Sequence, residues 1–225
     1  MTQNDVLDYA KFYDGKDEPL FFFRECFNLK DKFFIPIDDF KIANKLGIRT
    51  KEQGISHYFV KDTNQNRLLR NIYEDKDLHK KVYATTSPDF SVDSSHCWQC
   101  LNQANILKAR ICASVWQNRL EESVILTLIW GDQTTYEMAF SNIEKGSVCA
   151  VSHQGVKDET VFKEGLKRAV DTIQMDSLCW YGKIPDYVKE FYDLHRIIVK
   201  MQTRNELINK LKGQNSSTKQ LLFDL

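Results

Sequence analysis

The sequence lacks an excess of charge of either sign. Its 225 residues include 31 basic and 31 acidic side chains, so the formal net charge is zero. Proteins dedicated to nucleic acid usually carry a clear basic excess, so nucleic-acid binding here would need a local basic patch. No apolar run approaches the roughly 20 residues of a membrane-spanning helix, which predicts no membrane contact.

The amino terminus also lacks the basic-then-apolar order of a signal peptide. We therefore predict a cytoplasmic protein. In that compartment the six cysteines are expected to be reduced.

Signatures of well-known catalytic sites are missing as well. The sequence contains no GxGxxG, no P-loop, no HExxH and no GxSxG. Ser147 and Ser152 have no base partner by spacing, although His153 is adjacent to Ser152. The sequence therefore leaves open whether the protein is an enzyme and which reaction it would catalyse.

Half of a zinc site is present in the stretch HCWQC, which contains His96, Cys97 and Cys100. The missing ligands would have to come from isolated residues, namely Cys112, Cys149, Cys179 or His153. Cysteines in apolar runs are ordinarily core residues, so we predict no structural zinc. The adjacent carboxylates Asp38 and Asp39 could hold a divalent cation, although neighbours on an extended chain point in opposite directions, so at most one would face a given site.

Apolar strand candidates alternate with periodic helix candidates along the chain, which predicts an α/β fold. The fold class is a mostly parallel sheet flanked by helices, open or barrel-like, with a long C-terminal helix. The predicted strands are residues 33–37, 56–60, 82–86, 124–130, 136–140, 147–152 and 178–182. The predicted helices begin near Trp98, span residues 158–175 and span residues 185–212. Pro36 places the first strand at an edge or its end.

Four segments follow from this pattern. We predict an N-terminal extension over residues 1–32, an α/β core over 33–185, a C-terminal helix over 186–212, and a flexible linker with an apolar tail over 213–225. A glycine just past a helix often ends it, and we assign that position to Gly213.

The chain is organised around residues 83–110, which read as a buried strand, a sharp turn and an amphipathic helix. Pro88 ends the strand, and Asp89 then stands at its carboxyl end, where open α/β sheets bind ligands. Asp89 or Ser91 would serve equally well as a cap for the following element. We expect Asp89 and Arg110 to lie close together at this edge of the sheet.

Polar residues follow several of the predicted strands in the same way. They are Asp39, Asp89, Asp132, His153 and Tyr181. Parallel strands present their carboxyl ends at one rim, so these side chains are candidates for a ligand site. Turns also favour aspartate and glycine, which is the competing interpretation.

Six stretches resemble a family of phage and bacterial proteins known as domain of unknown function 4417. They are FFIPIDDF (33–40), SPDFS (87–91), QANILKAR with VWQ (103–117), VILTLIWGD (124–132), NIEKGSVCAVSHQG (142–155) and LCWYG (178–182). The resemblance implies a compact α/β domain in a phage or mobile-element setting, and it implies no reaction. The recurring polar positions of the family map onto Asp89, Asn105, Arg110, Trp130, Ser152 and Gly182.

Two functions remain open. In the first, the strand ends bind a nucleotide-like or phosphorylated ligand, with Arg110 on phosphate and Asp89 or Asp132 as base or metal ligand. The candidate ligand-binding residues are Asp89, Asn105, Arg110, Trp130, Asp132, Ser152, His153 and Tyr181.

In the second, the protein is a non-enzymatic module that binds a host or replication protein. Its C-terminal QLLFDL resembles the short peptides that dock on bacterial sliding clamps, with a polar anchor followed by apolar side chains. The candidate partner-binding residues are Gln220, Leu221, Leu222, Phe223 and Leu225. The same apolar side chains would also suit packing onto the domain itself. The oligomeric state stays open.

Overall fold

A single sheet of seven parallel strands lies at the centre of the computed structural model, which describes residues 27–93, 99–188 and 197–223. The strands are β1 (Phe33–Pro36), β2 (Gly54–His57), β3 (Ala84–Thr86), β4 (Val124–Thr127), β5 (Val148–Ser152), β6 (Ser177–Tyr181) and β7 (Ile197–Lys200). They lie side by side in sequence order, and every neighbouring pair is parallel. The predicted fold class is confirmed.

Helices occupy most of the crossovers between strands, as parallel pairing requires. They are α1 (Phe40–Lys45), α2 (Thr50–Gln53), α3 (Asp62–Gln65), α4 (Lys76–His79), α5 (Gln99–Arg119), α6 (Tyr136–Phe140), α7 (Glu159–Ile173) and α8 (Arg204–Phe223). Short 3-10 helices span Asn66–Leu69 and Gln133–Thr135. Within the described ranges, no helix combines the length and apolar character needed to cross a membrane.

The sheet curls into a half-barrel, so that its first and last strands approach each other. The backbone N–H of Phe34 in β1 donates to Oε1 of Gln202, just after β7, over 2.9 Å. The Nε atom of Arg204 lies 2.9 Å from Oδ2 of Asp39, which follows β1. These two contacts form a seam between β1 and the segment just after β7, which are not paired as strands. The curl brings the carboxyl ends of the strands around a common mouth.

Alternation along the strands builds a core on each face of the curled sheet. On the concave face the strands contribute Phe34, Ile55, Ala84, Ile125, Val148, Cys179 and, just after β7, Met201. On the convex face Leu126, Cys149 and Leu178 pack with the apolar sides of α5 and α7. Because side chains alternate with period two, the last residues of the same strands face either the mouth or the helices.

A buried polar network fixes the segment between β2 and β3 against the convex face. The Tyr58 hydroxyl donates to Oδ2 of Asp75 over 2.7 Å and lies 2.9 Å from Nε2 of His79. The Arg67 guanidinium pairs with the same carboxylate at 2.9 Å. Burial lowers the pKa of His79 to about 4, so its ring is neutral near pH 7. Asp75 thus joins Tyr58, Arg67 and, through the Tyr58 hydroxyl, His79, an arrangement typical of a structural role.

The segment Tyr136–Phe140 is a helix, and its prediction as a strand was wrong. Asp132 caps the preceding 3-10 turn by accepting from the backbone N–H of Thr134, and that turn continues directly into α6. Ala139 and Phe140 are buried in the core on one side of the helix. The segment YEMAF is too short for its periodicity to separate a helix from a strand. The capped turn before it is the feature that favours a helix.

A helix is present in the C-terminal region, over Arg204–Phe223 rather than over the predicted residues 186–212. Residues 197–200 form β7, because the β-branched run Ile197–Val199 pairs with β6. Helix α8 begins after a capping box in which Thr203 N–H donates to Glu206 and Glu206 N–H donates to the Thr203 hydroxyl. Gly213, expected to end the helix, lies inside it, as does the predicted linker. The sheet therefore extends past residue 185, the predicted core boundary.

The predicted N-terminal extension, residues 1–32, falls mostly outside the described residues. From residue 27 onward, Phe27 and Leu29 pack on the concave core, and Lys32 Nζ lies 3.8 Å from the ring centroid of Tyr83.

Candidate ligand-binding site

A cavity of about 210 Å³ lies at the carboxyl ends of β3, β4 and β5. Three loops form its walls: residues 89–93 after β3, residues 128–131 after β4 and residues 151–158 at the end of β5. The first turn of α7 completes the lining with Val161 and Phe162. This is the edge of a parallel sheet where ligands bind most often.

Asp89 is held in this cavity by the buried side chain of Gln65. The Gln65 amide accepts from Asp89 N–H and donates to the Asp89 carbonyl, each over 3.0 Å. The same Nε2 atom donates to the carbonyl of Val60 over 3.1 Å. These bonds involve only the main chain of Asp89, so its carboxylate takes no part in them. Among the residues that the structure describes, no side chain donates a hydrogen bond to that carboxylate.

The electrostatic environment of Asp89 favours its protonated form. Burial of the carboxyl group raises its pKa to about 7, and the charge of Asp62 contributes in the same direction. Asp89 can therefore gain or lose a proton near neutral pH. A carboxyl group with this property inside a cavity is a candidate for proton exchange with a ligand.

Aromatic rings form the floor between β4 and α7. The ring centroids of Trp130 and Phe162, which both line the cavity, lie 4.9 Å apart, and Phe140 contacts Trp130 from the other side at 5.6 Å. Gly165 in α7 permits this packing, because a Cβ there would lie 2.0 Å from Nε1 of Trp130. The floor is thus rigid and apolar, while the rim is polar.

The remaining charged groups of the cavity already have protein partners. Lys157 Nζ lies 3.7 Å from Oδ2 of Asp93. Asp158 is the N-cap of α7 and accepts from the N–H groups of Thr160 and Val161 over 3.0 and 3.1 Å. Asp89 is therefore the carboxylate of the cavity that remains for a ligand.

Comparison with known proteins gives a family but no activity. A family model described as "Domain of unknown function (DUF4417)" matches residues 29–202. The chain belongs to this family. The "Gene 1 protein" of Mycobacterium phage L5 is 30% identical over 149 residues, which cover 60% of this chain and 59% of that protein. The "Gene 1 protein" of Mycobacterium phage D29 is 27% identical over 146 residues, 58% of this chain and 49% of that protein.

The chain thus spans between half and three fifths of the length of these phage relatives. No solved structure matches it. The resemblance to DUF4417 proteins seen in the sequence is confirmed, and the phage relationship with it. The names of these relatives state no reaction or ligand.

Two asparagines on α5 of this DUF4417 member hold the loop that forms one wall of the cavity. Asn105, a predicted site residue, donates from Nδ2 to the carbonyl of Ser91 over 2.8 Å. Asn102, which the sequence interpretation missed, accepts from Asp93 N–H over 2.9 Å and donates to the Asp93 carbonyl. Both residues lie on α5 and tie the loop after β3 to that helix. Their role in the structure is to position the loop.

Arg110 does not share a cavity with Asp89. It is 3% exposed and donates to the carbonyls of Met138 and Ser141, the latter over 2.6 Å. A guanidinium at the carboxyl end of α6 satisfies carbonyl groups that lack partners within the helix. Arg110 is the twelfth residue of α5, which places it far along the helix from the loop that contains Asp89.

We expect Arg110→Gln to lower the free energy of unfolding by about 2–3 kcal/mol, because buried carbonyls lose a charged donor. Urea denaturation measures this loss. Lys108→Gln is the matched control, since Lys108 is exposed on the same helix and its change should stay within about 0.5 kcal/mol. Equal, small effects of the two variants would show that Arg110 does not stabilise the fold.

The other predicted residues divide between the cavity and its surroundings. Ser152 lines the cavity, and its hydroxyl accepts from Gln154 N–H over 3.1 Å. Asp132 caps the 3-10 turn that precedes α6. His153 bonds to Glu159 at 3.0 Å and packs against Phe162. Of these three residues, only Ser152 contacts the cavity space.

Tyr181 lies at the mouth of the curled sheet, beside the cavity. It is the register partner of Ser152, and its ring stacks on Phe59 with centroids 4.9 Å apart. Burial raises the pKa of Tyr181, and the carboxylates of Asp38, Glu206 and Asp89 raise it further.

No group of three or more metal-ligating side chains occurs among residues 27–93, 99–188 and 197–223. Asp39 pairs with Arg204, and Asp38 accepts from Nδ2 of Asn64 over 2.7 Å, so the two carboxylates have separate protein partners. His96 and Cys97 fall outside the described residues, and the absence of zinc stays a prediction. The partner-binding interpretation of residues 220–225 likewise concerns side chains that the structure does not describe.

Proposed function

We propose that the cavity at the ends of β3, β4 and β5 binds a small polar ligand, with Asp89 as its central contact. The observation that carries this proposal is the Asp89 carboxyl group, which lines a cavity and has a pKa of about 7. A capping carboxylate would instead accept hydrogen bonds from backbone N–H groups, as Asp158 does. The hydrogen bonds of Gln65 to both sides of the Asp89 peptide support a positioned functional group.

The charge of the cavity argues for a particular kind of ligand. Lys157 is the cation among the lining residues, and it pairs with Asp93. A bound phosphate would meet Asp89, Asp93 and Asp158, and the described lining of the cavity includes no arginine to offset their charge. Hydroxyl, amino and ring N–H groups of a ligand would instead donate to Asp89. If the ligand is nucleotide-like, the cavity therefore suits its base or sugar better than its phosphate groups.

The same carboxyl group gives the site a route to acid–base chemistry. A carboxyl group that titrates near the working pH can take a proton from a ligand and return it. A ligand that donates to ionised Asp89 would lower its pKa on binding, so binding should be tighter at pH 8 than at pH 6. The opposite dependence is expected for a ligand that accepts a proton from Asp89.

We expect a thermal-shift screen of nucleosides, nucleotides and sugars to find compounds that stabilise the protein, and Asp89→Asn to weaken their effect. A ligand at 100 times its dissociation constant stabilises a protein by about 2.7 kcal/mol, which is readily measured. The comparison is the ligand-induced shift within each variant, because the substitution also changes the starting stability. Asp171→Asn, at an exposed position of α7, is the matched control. Ligands that stabilise wild type and Asp89→Asn equally would rule out the proposed role of Asp89.

A further inference from the structure

The charges that line the cavity are not balanced. Its described lining contains three carboxylates and one ammonium group, those of Asp89, Asp93, Asp158 and Lys157. The carboxylate of Asp62 lies beside the same wall, because its Oδ2 atom accepts from the backbone N–H of Ser91 over 3.4 Å. The ammonium group is paired with Asp93. The described lining therefore supplies no cation for Asp89.

Asp89 is the carboxylate that a ligand cation would meet. Asp158 already accepts from two backbone N–H groups. The bonds between Gln65 and the main chain of Asp89 fix the position of the carboxyl group without using its oxygens. Burial and the charge of Asp62 both disfavour the ionised form of Asp89 and raise its pKa to about 7. A cation placed against the carboxyl group would favour the ionised form by supplying the opposite charge.

The apolar part of the lining indicates what kind of cation the cavity suits. Its members are Leu128, Ile129, Trp130, Val151, Val161 and Phe162. Calcium and magnesium ions require six or more oxygen ligands, and no group of three metal-ligating side chains occurs among the described residues. An organic cation would instead contact the carboxylate and the apolar wall together.

The size of the cavity limits the size of that cation. Pockets for drug-sized ligands measure roughly 300–1,000 Å³, whereas this cavity measures about 210 Å³. One ring with a short chain, or an alkyl chain of similar volume, is therefore the expected scale of the ligand.

We propose that the cavity binds a small organic amine in its protonated form, with the ammonium group on Asp89 and the apolar body on the floor formed by Trp130 and Phe162. This inference rests on the proposed function of the cavity and names the ligand class. An ammonium group carries three N–H donors and no acceptor, which suits an ionised carboxylate. Hydrogen bonds with an ionised partner are roughly twice as strong as those between neutral groups. The charge of the ligand should therefore decide its affinity.

The test is a series of three probes that share a phenyl ring and differ in charge. The cation is 2-phenylethylamine, its neutral counterpart of the same size is 2-phenylethanol, and the anion is phenylacetate. Calorimetric titration of the wild-type protein at pH 8 and constant ionic strength measures their affinities. We expect the amine to bind about tenfold more tightly than the alcohol, and phenylacetate to give no measurable binding. This comparison requires no variant.

Two variants then locate the preference for charge. In Asp89→Asn the amine should lose about tenfold in affinity and bind no more tightly than the alcohol, because the amide carries no charge. The affinity of the alcohol should change little. Asp171→Asn removes an exposed carboxylate of α7 and is the matched control. It should keep the full preference for the amine.

Four results would overturn the inference. They are equal affinities of amine and alcohol for wild type, a preference for the amine that persists in Asp89→Asn, stabilisation by magnesium or calcium ions that depends on Asp89 without binding of the amine, and failure of wild type to bind the amine. The last result leaves the proposed function itself to be judged by the screen of nucleosides, nucleotides and sugars. A neutral compound from that screen that depends on Asp89 would support the site and reject the amine.

Discussion

Asp89→Asn is expected to raise the free energy of unfolding at pH 8 by about 3 kcal/mol. The pKa of Asp89 rises from 3.8 to about 7 in the folded protein, so the fold favours the protonated carboxyl group. Its stabilising contribution is complete below pH 3.8 and is lost as the pH rises toward 7, because the folded state then binds more protons than the unfolded state. Each pKa unit corresponds to 1.36 kcal/mol, which sets an upper limit of about 4 kcal/mol.

The measurement is a series of urea denaturation curves from pH 4 to pH 8. Wild type should lose stability relative to Asp89→Asn over this range, and the difference should level off above pH 7. Asp171→Asn serves again as the control, since an exposed aspartate should give a difference that is small at every pH. If the difference in free energy of unfolding between Asp89→Asn and wild type does not change with pH, the Asp89 carboxyl group has the pKa of an aspartate in water.

Gly165→Ala is expected to destabilise the protein by about 3 kcal/mol or more. Alanine normally stabilises a helix by about 1 kcal/mol relative to glycine. Here the added Cβ would lie 2.0 Å from Nε1 and 2.4 Å from Cδ1 of Trp130, and the indole is confined between Phe140 and Phe162. Overpacking of this severity displaces backbone or side chains and outweighs the helix propensity. The cavity floor should be disturbed at the same time.

Gly213→Ala makes the same chemical change and is expected to have the opposite effect on stability. Gly213 lies inside α8, and no atom outside its own turn of helix lies within 4 Å of an added Cβ. This variant should gain up to about 1 kcal/mol. Urea denaturation followed by tryptophan fluorescence measures both variants. Similar stabilities for the two would show that α7 can move away from Trp130 at little cost.

Strands and long helices could be predicted from the sequence, because they carry strong periodic signals. The buried runs at residues 124–127 and 148–152 and the apolar stripe of α7 all lie where the pattern placed them. Asp89 was correctly placed at the end of a strand by the proline before it. Short elements were predicted wrongly. The segment 136–140 has no periodicity of its own, and β7 was included in a predicted helix because Ile198 fits both patterns.

The site was harder to predict than the fold, because its geometry depends on residues distant in sequence. Gln65 holds Asp89 across 24 positions, and no local motif announces such a contact. Arg110 looked like a ligand contact because it is a cation near the central turn, yet its partners lie 28 and 31 residues further along. The curl of the sheet, which brings the ring of His57 at the end of β2 to 5.0 Å from that of Tyr181, has no signature in the sequence.

The seam between β1 and β7 has a consequence for how the chain folds during synthesis. Its two side-chain contacts join residues separated by 168 and 165 positions. Contacts of such separation carry a large loop-closure entropy, and folds rich in them form slowly. At roughly 5–20 residues per second, a ribosome releases β7 about ten seconds or more after β1. Until then β1 lacks these two contacts, so the nascent chain passes through a stage at which another molecule can compete with its own C-terminal segment for the edge of β1.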